Sequence, residues 1–320
     1  MSTAAKRLRE LMARPGPIVA PGIYDCVSAK VAERSGFEAG LVSGAAVTAS
    51  LLGYPDVGLQ TMPEVLNQVR NIARSVAIPL IADIDTGYGN ALNVMRAIRE
   101  FENAGAAGIF FEDQVSPKRC GHFEGKSVIS PEEMAVKIRA ACEARRSSDF
   151  VILARTDART THGLEEAINR ANLYVEAGAD MIYIEALLSV DEMREVNRRV
   201  KGPLQANMSE GGKKTPMLSY SELHEIGFKL ITYSGLLQRT AIRGMQNVLE
   251  VLQKEGSAMT MYPKYVCSLI DRSELLGLNE FYELEERLFG PLKESEKSWR
   301  TELAAAASAV KGAKEPALKL

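Results

Sequence analysis

The sequence predicts an α/β protein, a (β/α)8 barrel of the TIM type followed by a helical extension. Three observations carry that expectation. A unit of helix, glycine and short β-prone run recurs along the chain, and eight such runs can be counted. Helical patterns separate the runs. The residues able to do chemistry cluster where the runs end.

The repeat is punctuated by Gly36, Gly105, Gly178 and Gly227, each suited to a left-handed helix C-cap just ahead of a strand. Two units read almost alike: Ala104-Gly105-Ala106 leads to Glu112, and Ala177-Gly178-Ala179 leads to Glu185. Strands are expected at 18–20, 40–43, 80–83, 108–112, 151–155, 181–185, 204–207 and 229–233. Helices fall between them, for example at 131–144 and 165–177. Strictly alternating strand and helix implies a parallel sheet with right-handed crossovers. The rival is a doubly wound open sheet, but no G-x-G-x-x-G turn follows the first strand. Residues 1–255 are therefore expected to form the barrel. Residues 256–292 read as a helical extension, amphipathic over 262–288, and 293–320 as a tail that is helical or disordered.

The 320 residues carry a formal net charge of -2, which excludes a generalised nucleic-acid or membrane surface. No apolar run approaches a membrane span. Cys26, Cys120, Cys142 and Cys267 have neither zinc spacing nor a disulfide framework, so a reducing cytoplasm is expected. The basic start (Lys6-Arg7-Leu8-Arg9) is read as a first helix in preference to an organelle presequence.

Ser43, Asp83, Glu112, Arg155, Glu185 and Asn207 all fall at or beside the C-terminal end of an expected strand. In a barrel those ends converge on one face, where active sites form. Asp83, Asp85 and Glu112 are hard oxygen donors with Gly87 and Gly89 nearby, a set suited to Mg²⁺ or Mn²⁺ held partly through water. A solvated loop or helix cap uses Asp-x-Asp in the same way; the strand-end context favours the metal. Zinc is disfavoured, because the chain has three histidines and none at ligand spacing. A metal chelating a 2-hydroxycarboxylate would acidify the hydroxyl.

Lys118-Arg119-Cys120-Gly121-His122 places a thiol among cations, which lowers the cost of thiolate. Cys120 is expected to act as a general acid toward a carbanion, with Lys118 and His122 tuning it or binding substrate, and Gly121 allowing close backbone approach. The other three cysteines lack such company and are expected to be buried apolar residues. Arg155 can grip a substrate carboxylate or pair with Asp157 or Glu185. Ser43-Gly44-Ala45 can offer N–H groups to an anion, and Asn207, with Ser209 after it, can hold a second carboxylate or form a strand-end turn. A Schiff-base aldolase would need a lysine inside the barrel, and no expected strand ends in one.

These residues resemble the isocitrate lyase/phosphoenolpyruvate mutase superfamily over roughly residues 21–288. The resemblance rests on Pro21-Gly22-Ile23-Tyr24-Asp25, Ser43-Gly44-Ala45, Gly53-Tyr54-Pro55-Asp56, the 83–89 segment, Phe111-Glu112-Asp113-Gln114, Lys118 to His122 and Ala154-Arg155-Thr156-Asp157-Ala158. The Lys-Arg-Cys-Gly-His motif is specific to the carbon–carbon-cleaving branch, similar to 2-methylisocitrate and 2,3-dimethylmalate lyases. The resemblance implies a last helix exchanged between subunits in a homotetramer, a dimer of dimers. It also implies Mg²⁺ near Asp83, Asp85 and Glu112, Asp56 in the same shell, and Arg155 and Glu185 lining the pocket. The implied reaction is cleavage of a hydroxy di- or tricarboxylate to a 2-oxo acid. Two positions depart from those lyases: Leu41 stands where tyrosine is frequent, and Ser234 where proline is common. Ser234 with Tyr24-Asp25 is similar to oxaloacetate hydrolases, which act on an oxo acid. A metabolite-binding barrel without catalysis is the third reading.

Overall fold

The computed structural model describes residues 3–119, 125–209 and 215–312. The chain divides into two compact units, Met1–Ala258 and Met259–Leu320. The first opens with α1 (Ala4–Ala13), β1 (Ile18–Ile23), α2 (Cys26–Arg34), β2 (Gly40–Val42), α3 (Gly44–Leu52) and α4 (Met62–Ser75). It continues through β3 (Leu80–Asp83), α5 (Ala91–Asn103), β4 (Gly108–Glu112), α6 (Pro131–Ala144) and β5 (Val151–Thr156). Then follow α7 (Ala158–Thr161), α8 (Leu164–Glu176), β6 (Met181–Ile184), α9 (Val190–Arg199) and β7 (Leu204–Asn207). It ends with α10 (Tyr220–Ile226), β8 (Leu230–Tyr233) and α11 (Leu236–Glu255).

The eight strands close into a barrel in sequence order, every pair parallel, β8 returning to β1. This is the (β/α)8 architecture the alternation predicts. Gly36, Gly105, Gly178 and Gly227 all adopt the positive φ the repeat demands. Two apolar clusters follow from the period-two strand pattern. Side chains facing inward (Ile18, Leu41, Ile81, Phe110, Leu153, Tyr183 among them) fill the barrel, and those facing outward pack under the helices. Leu8 of α1 is buried in the interior cluster, and Arg9 donates to the carbonyls of Ser148 and Asp149. The basic N-terminal segment is thus a structural helix of the barrel.

The expectation of buried cysteines does not hold for the described thiols: Cys26 and Cys142 are half-buried and Cys267 is exposed. Cys26 opens α2 and Cys142 lies near the end of α6, both packed against the apolar layer beneath the helices.

The second unit contains a 3-10 turn (Met259–Met261), α12 (Leu269–Leu275) and α13 (Leu278–Gly312). Helix is therefore interrupted over 262–268, where Pro263 lacks a backbone donor and Ser268 caps α12.

Candidate active site

Strand ends converge at the C-terminal mouth of the barrel. Ser43 closes β2 and caps α3, accepting from the Ala46 N–H. Gly44 N–H donates to Asp83 Oδ2 at 3.2 Å, and a Cβ on Gly44 would stand 2.8 Å from that oxygen, so the approach requires glycine. Asp83 Oδ1 accepts from the Asp85 N–H at 3.0 Å. Asp85 sits at φ 51° and Tyr88 at φ 60°, left-handed positions for non-glycine residues that mark a tightly specified turn. A Cβ on Gly22 would lie 2.1 Å from the Ser234 carbonyl oxygen, which explains glycine at this position of β1.

Lys118 is the hub of the acidic side. Its ammonium, 4% exposed, lies 2.6 Å from Asp56 Oδ1 and 2.9 Å from Asp85 Oδ1. Gln60 supports the same cluster, donating to Asp85 Oδ2 while its own oxygen accepts from Thr48. Burial lowers the Lys118 pKa, but the charges of Glu112, Asp85, Asp83 and Asp56 outweigh it and hold the ammonium well above its usual range. Asp83 is pushed up to about 6 by burial and by Asp85 and Asp56, against the pull of Lys118. Burial likewise lifts Glu112 well above the carboxylate range despite Arg155 and Lys118. Burial is the larger cause of both shifts.

Arg155 is the second hub. Its Nε and Nη2 bind Asp157 at 2.8 and 2.9 Å, Nη2 reaches Glu185 at 3.1 Å and Nη1 approaches Glu112 at 3.4 Å. Its guanidinium lies over the rings of Phe110 and Tyr183. The fork that could have gripped a substrate carboxylate is thus turned to Asp157, the pairing the sequence left open. Lys126 also binds Asp157, at 2.7 Å. Behind them Asp113 accepts from Thr156, Tyr174, Arg170 and the Asp157 N–H, locking β4 to β5 and α8.

A pocket of about 220 Å³ opens over these groups. Ser43, Ala45, Asp56 and Asp83 line it from the first half of the barrel. Lys118, Arg155 and Glu185 line it centrally, and Asn207, Ser209 and Ser234 from the last strands. Gly44, Asp85 and Glu112 stand directly behind this lining through the bonds given above. Tyr24 is not brought to the pocket. It precedes the N-cap of α2 and packs against the apolar layer beneath the helices. Cys120, Gly121 and His122 lie outside the described residues. Sequence reasoning missed Phe110, Tyr183 and Gln205, each two residues before a strand-end group and therefore on the same inward face.

The oxygen donors fit a divalent cation. Asp56 Oδ1, Asp85 Oδ1 and Glu112 Oε2 are buried and take no hydrogen bond, the two aspartates meeting only the Lys118 charge. Among the described residues, no three acid, histidine or cysteine side chains gather closely enough to enclose an ion. Few protein ligands with the shell completed by water and substrate is the Mg²⁺ mode.

The chain matches the phosphoenolpyruvate phosphomutase family over residues 8–253. It is 47% identical to a 2-methylisocitrate lyase of Aeropyrum pernix over 88% of each chain. It is 44% identical to the 2,3-dimethylmalate lyase of Eubacterium barkeri, over 89% of this chain and 98% of the relative. Among solved structures, an oxaloacetate acetylhydrolase bound to 3,3-difluorooxalacetate superposes with a TM-score of 0.85 at 34% identity, covering 89% of this chain and 97% of that one.

Proposed function

Because the chain belongs to the phosphoenolpyruvate phosphomutase family, and is a carbon–carbon lyase of its superfamily, we propose that it cleaves the C2–C3 bond of a malate-type 2-hydroxy di- or tricarboxylate. The products are a 2-oxo acid and a second carboxylic acid. The observation that carries this reading is a set of buried acids, Asp56, Asp83, Asp85 and Glu112, beside Lys118 and Arg155 at one small pocket, with Asp56 Oδ1, Asp85 Oδ1 and Glu112 Oε2 taking no hydrogen bond.

Asp83, Asp85 and Glu112, with Asp56 beside them, would hold Mg²⁺ partly through water, with Mn²⁺ as the alternative. When bound, the ion would supply Lewis acidity that eases transfer of the hydroxyl proton to a general base. The chain's own groups do the rest. The Ala45 N–H at the start of α3 and the Asn207 amide receive carboxylate oxygens. Lys118 and Arg155 offset part of the acid charge, and a bound cation would supply the rest that a dianion needs. As C2 becomes a carbonyl, the electron pair of the C2–C3 bond passes to C3, stabilised by the adjacent carboxylate. The Cys120 thiol delivers its proton to C3, with His122 tuning the thiol. Gly121 lets the backbone approach, and Glu185, held by Tyr183 and Arg155, fixes the guanidinium. The test is chemical: release of a 2-oxo acid from C3-substituted malates, dependent on Mg²⁺.

A second reading, hydrolysis of oxaloacetate on the same scaffold, is favoured by Ser234. It lines the pocket and its N–H donates to Asn207 Oδ1.

The quaternary proposal is a homotetramer in which helices are exchanged. α11 buries no residue, leaving Ile242, Met245, Leu249 and Leu252 exposed. On the flank of the barrel a groove of about 500 Å³ is lined by Pro17, Val19, Phe37, Tyr220 and Tyr233. It is larger than the catalytic pocket, and its lining, mostly apolar with the Arg14–Glu38 ion pair among it, suits a helix of a second copy. Light scattering should give a tetramer, and Tyr220→Asp, at a residue 51% exposed, should dissociate it without unfolding. A monomeric wild-type protein would contradict the proposal. No described helix is long and apolar enough to cross a membrane. Free Cys26, Cys142 and Cys267 fit a reducing cytoplasm.

A further inference from the structure

Among the polar side chains that line the pocket, Gln205 is buried and is not used by the cleavage chemistry. Gln205 is 2% exposed and lines the floor beside Leu41, Phe110 and Tyr183. It lies on β7 two residues before Asn207, so both side chains leave the same face of the strand, into the barrel. Its strand neighbours in register are Tyr183 and Leu230, both members of the interior apolar cluster.

The orientation of the Gln205 amide follows from the donors around it. The Ser234 N–H points at the Asn207 side chain at 3.3 Å, which makes the atom it meets the oxygen, Oδ1. The Thr232 hydroxyl faces that Oδ1 at 3.0 Å and the Ala206 carbonyl at 3.3 Å, so its proton goes to an oxygen in either case. Thr232 Oγ1 can then only accept from Gln205, whose Nε2 donates to it at 2.9 Å. Oε1 is turned the other way. It is buried and takes no hydrogen bond. The hydroxyl of Tyr183, its neighbour in register on β6, is committed to Glu185. An amide carbonyl buried among apolar groups without a donor is destabilising, and an aliphatic side chain would fill the same position at lower cost.

We infer that Gln205 is a specificity-determining residue whose Oε1 accepts a hydrogen bond from the substrate hydroxyl. The inference rests on the reading of this pocket as a site for 2-hydroxy diacids. A carbonyl acceptor on the floor rewards a neutral donor and repels a carboxylate placed there. It therefore selects a hydroxy acid over its deoxy counterpart, independently of any metal contact to the same hydroxyl.

The test compares malate and succinate, which differ only in that hydroxyl. Each is titrated calorimetrically with Mg²⁺ present into wild-type protein, Gln205→Leu and Gln205→Met. Malate should bind both variants about 3- to 10-fold more weakly, the effect of losing one hydrogen bond, with succinate changed less than about twofold. Melting temperatures should stay level or rise. Any preference that metal chelation confers is common to all three proteins and cancels in the comparison. An unchanged malate-to-succinate ratio overturns the inference while leaving the parent reading intact. Wild-type protein that binds neither acid overturns both. If both variants melt well below wild type, Gln205 is a structural residue and the inference is again overturned.

Discussion

Lys118→Met is expected to lower kcat by about 10²–10³, the usual effect of removing one preorganised electrostatic contact from a buried site. The ammonium is 4% exposed and is the only charge meeting Asp56 Oδ1 and Asp85 Oδ1 among the contacts described. Its removal strands buried carboxylates, which costs about 3–5 kcal/mol before they relieve the strain by taking protons. The melting temperature should therefore fall as well. A divalent cation binding the same acids supplies the lost charge, so added Mg²⁺ should recover more of the melting temperature in the variant than it adds to wild type. Thermal melts with and without Mg²⁺, run beside turnover, separate the two effects. Equal melting and turnover in variant and wild type would show that Lys118 is not the counter-charge of this site.

Cys120→Ser should reduce kcat by about 10²–10⁴ with a modest change in KM, because a hydroxyl is a far weaker acid than a thiol and cannot readily protonate the departing carbanion. Cys120 itself lies outside the described residues, but both flanks of its segment are anchored. The Gln114 amide accepts from the Arg119 N–H at 3.0 Å and donates to the Arg119 carbonyl at 2.8 Å, and Lys126 binds Asp157. Cys142→Ser and Cys267→Ser are the controls. The first thiol contacts only the Gly178 carbonyl among its described hydrogen bonds, and the second lies in the other unit. Turnover near wild type in Cys120→Ser would remove the thiol from the mechanism.

The barrel was legible because its signals are local. A glycine that must adopt positive φ ahead of each of four strands is a backbone requirement written in one residue, and all four adopt it. The first strand runs three residues beyond the expected end, through Ile23, because Gly22 and Ile23 still pair with Leu41 and Val42 on β2. That pairing is non-local and leaves no mark in the segment itself. The helix at 44–52 begins on the Ser-Gly turn itself, where an anion-binding loop was the more visible reading. The same division holds in the pocket. Asp83, Arg155, Glu185 and Asn207 were found because strand ends converge, a rule of topology. The partner of each was harder to see. Lys126 meets Asp157 across 31 positions, and Gln60 reaches Asp85 across 25. Both depend on loop paths that composition does not encode.

The most direct test of carbon–carbon cleavage is a side-by-side assay of 2-methylisocitrate, 2,3-dimethylmalate and oxaloacetate, with Mg²⁺ and then with excess chelator. The account predicts stoichiometric release of a 2-oxo acid such as pyruvate from at least one of the two hydroxy acids, abolished by chelation and restored by Mg²⁺. Turnover of oxaloacetate alone to oxalate and acetate would establish the hydrolase reading in its place. Release of a 2-oxo acid at full rate under chelation, or turnover of none of the three, would contradict the account.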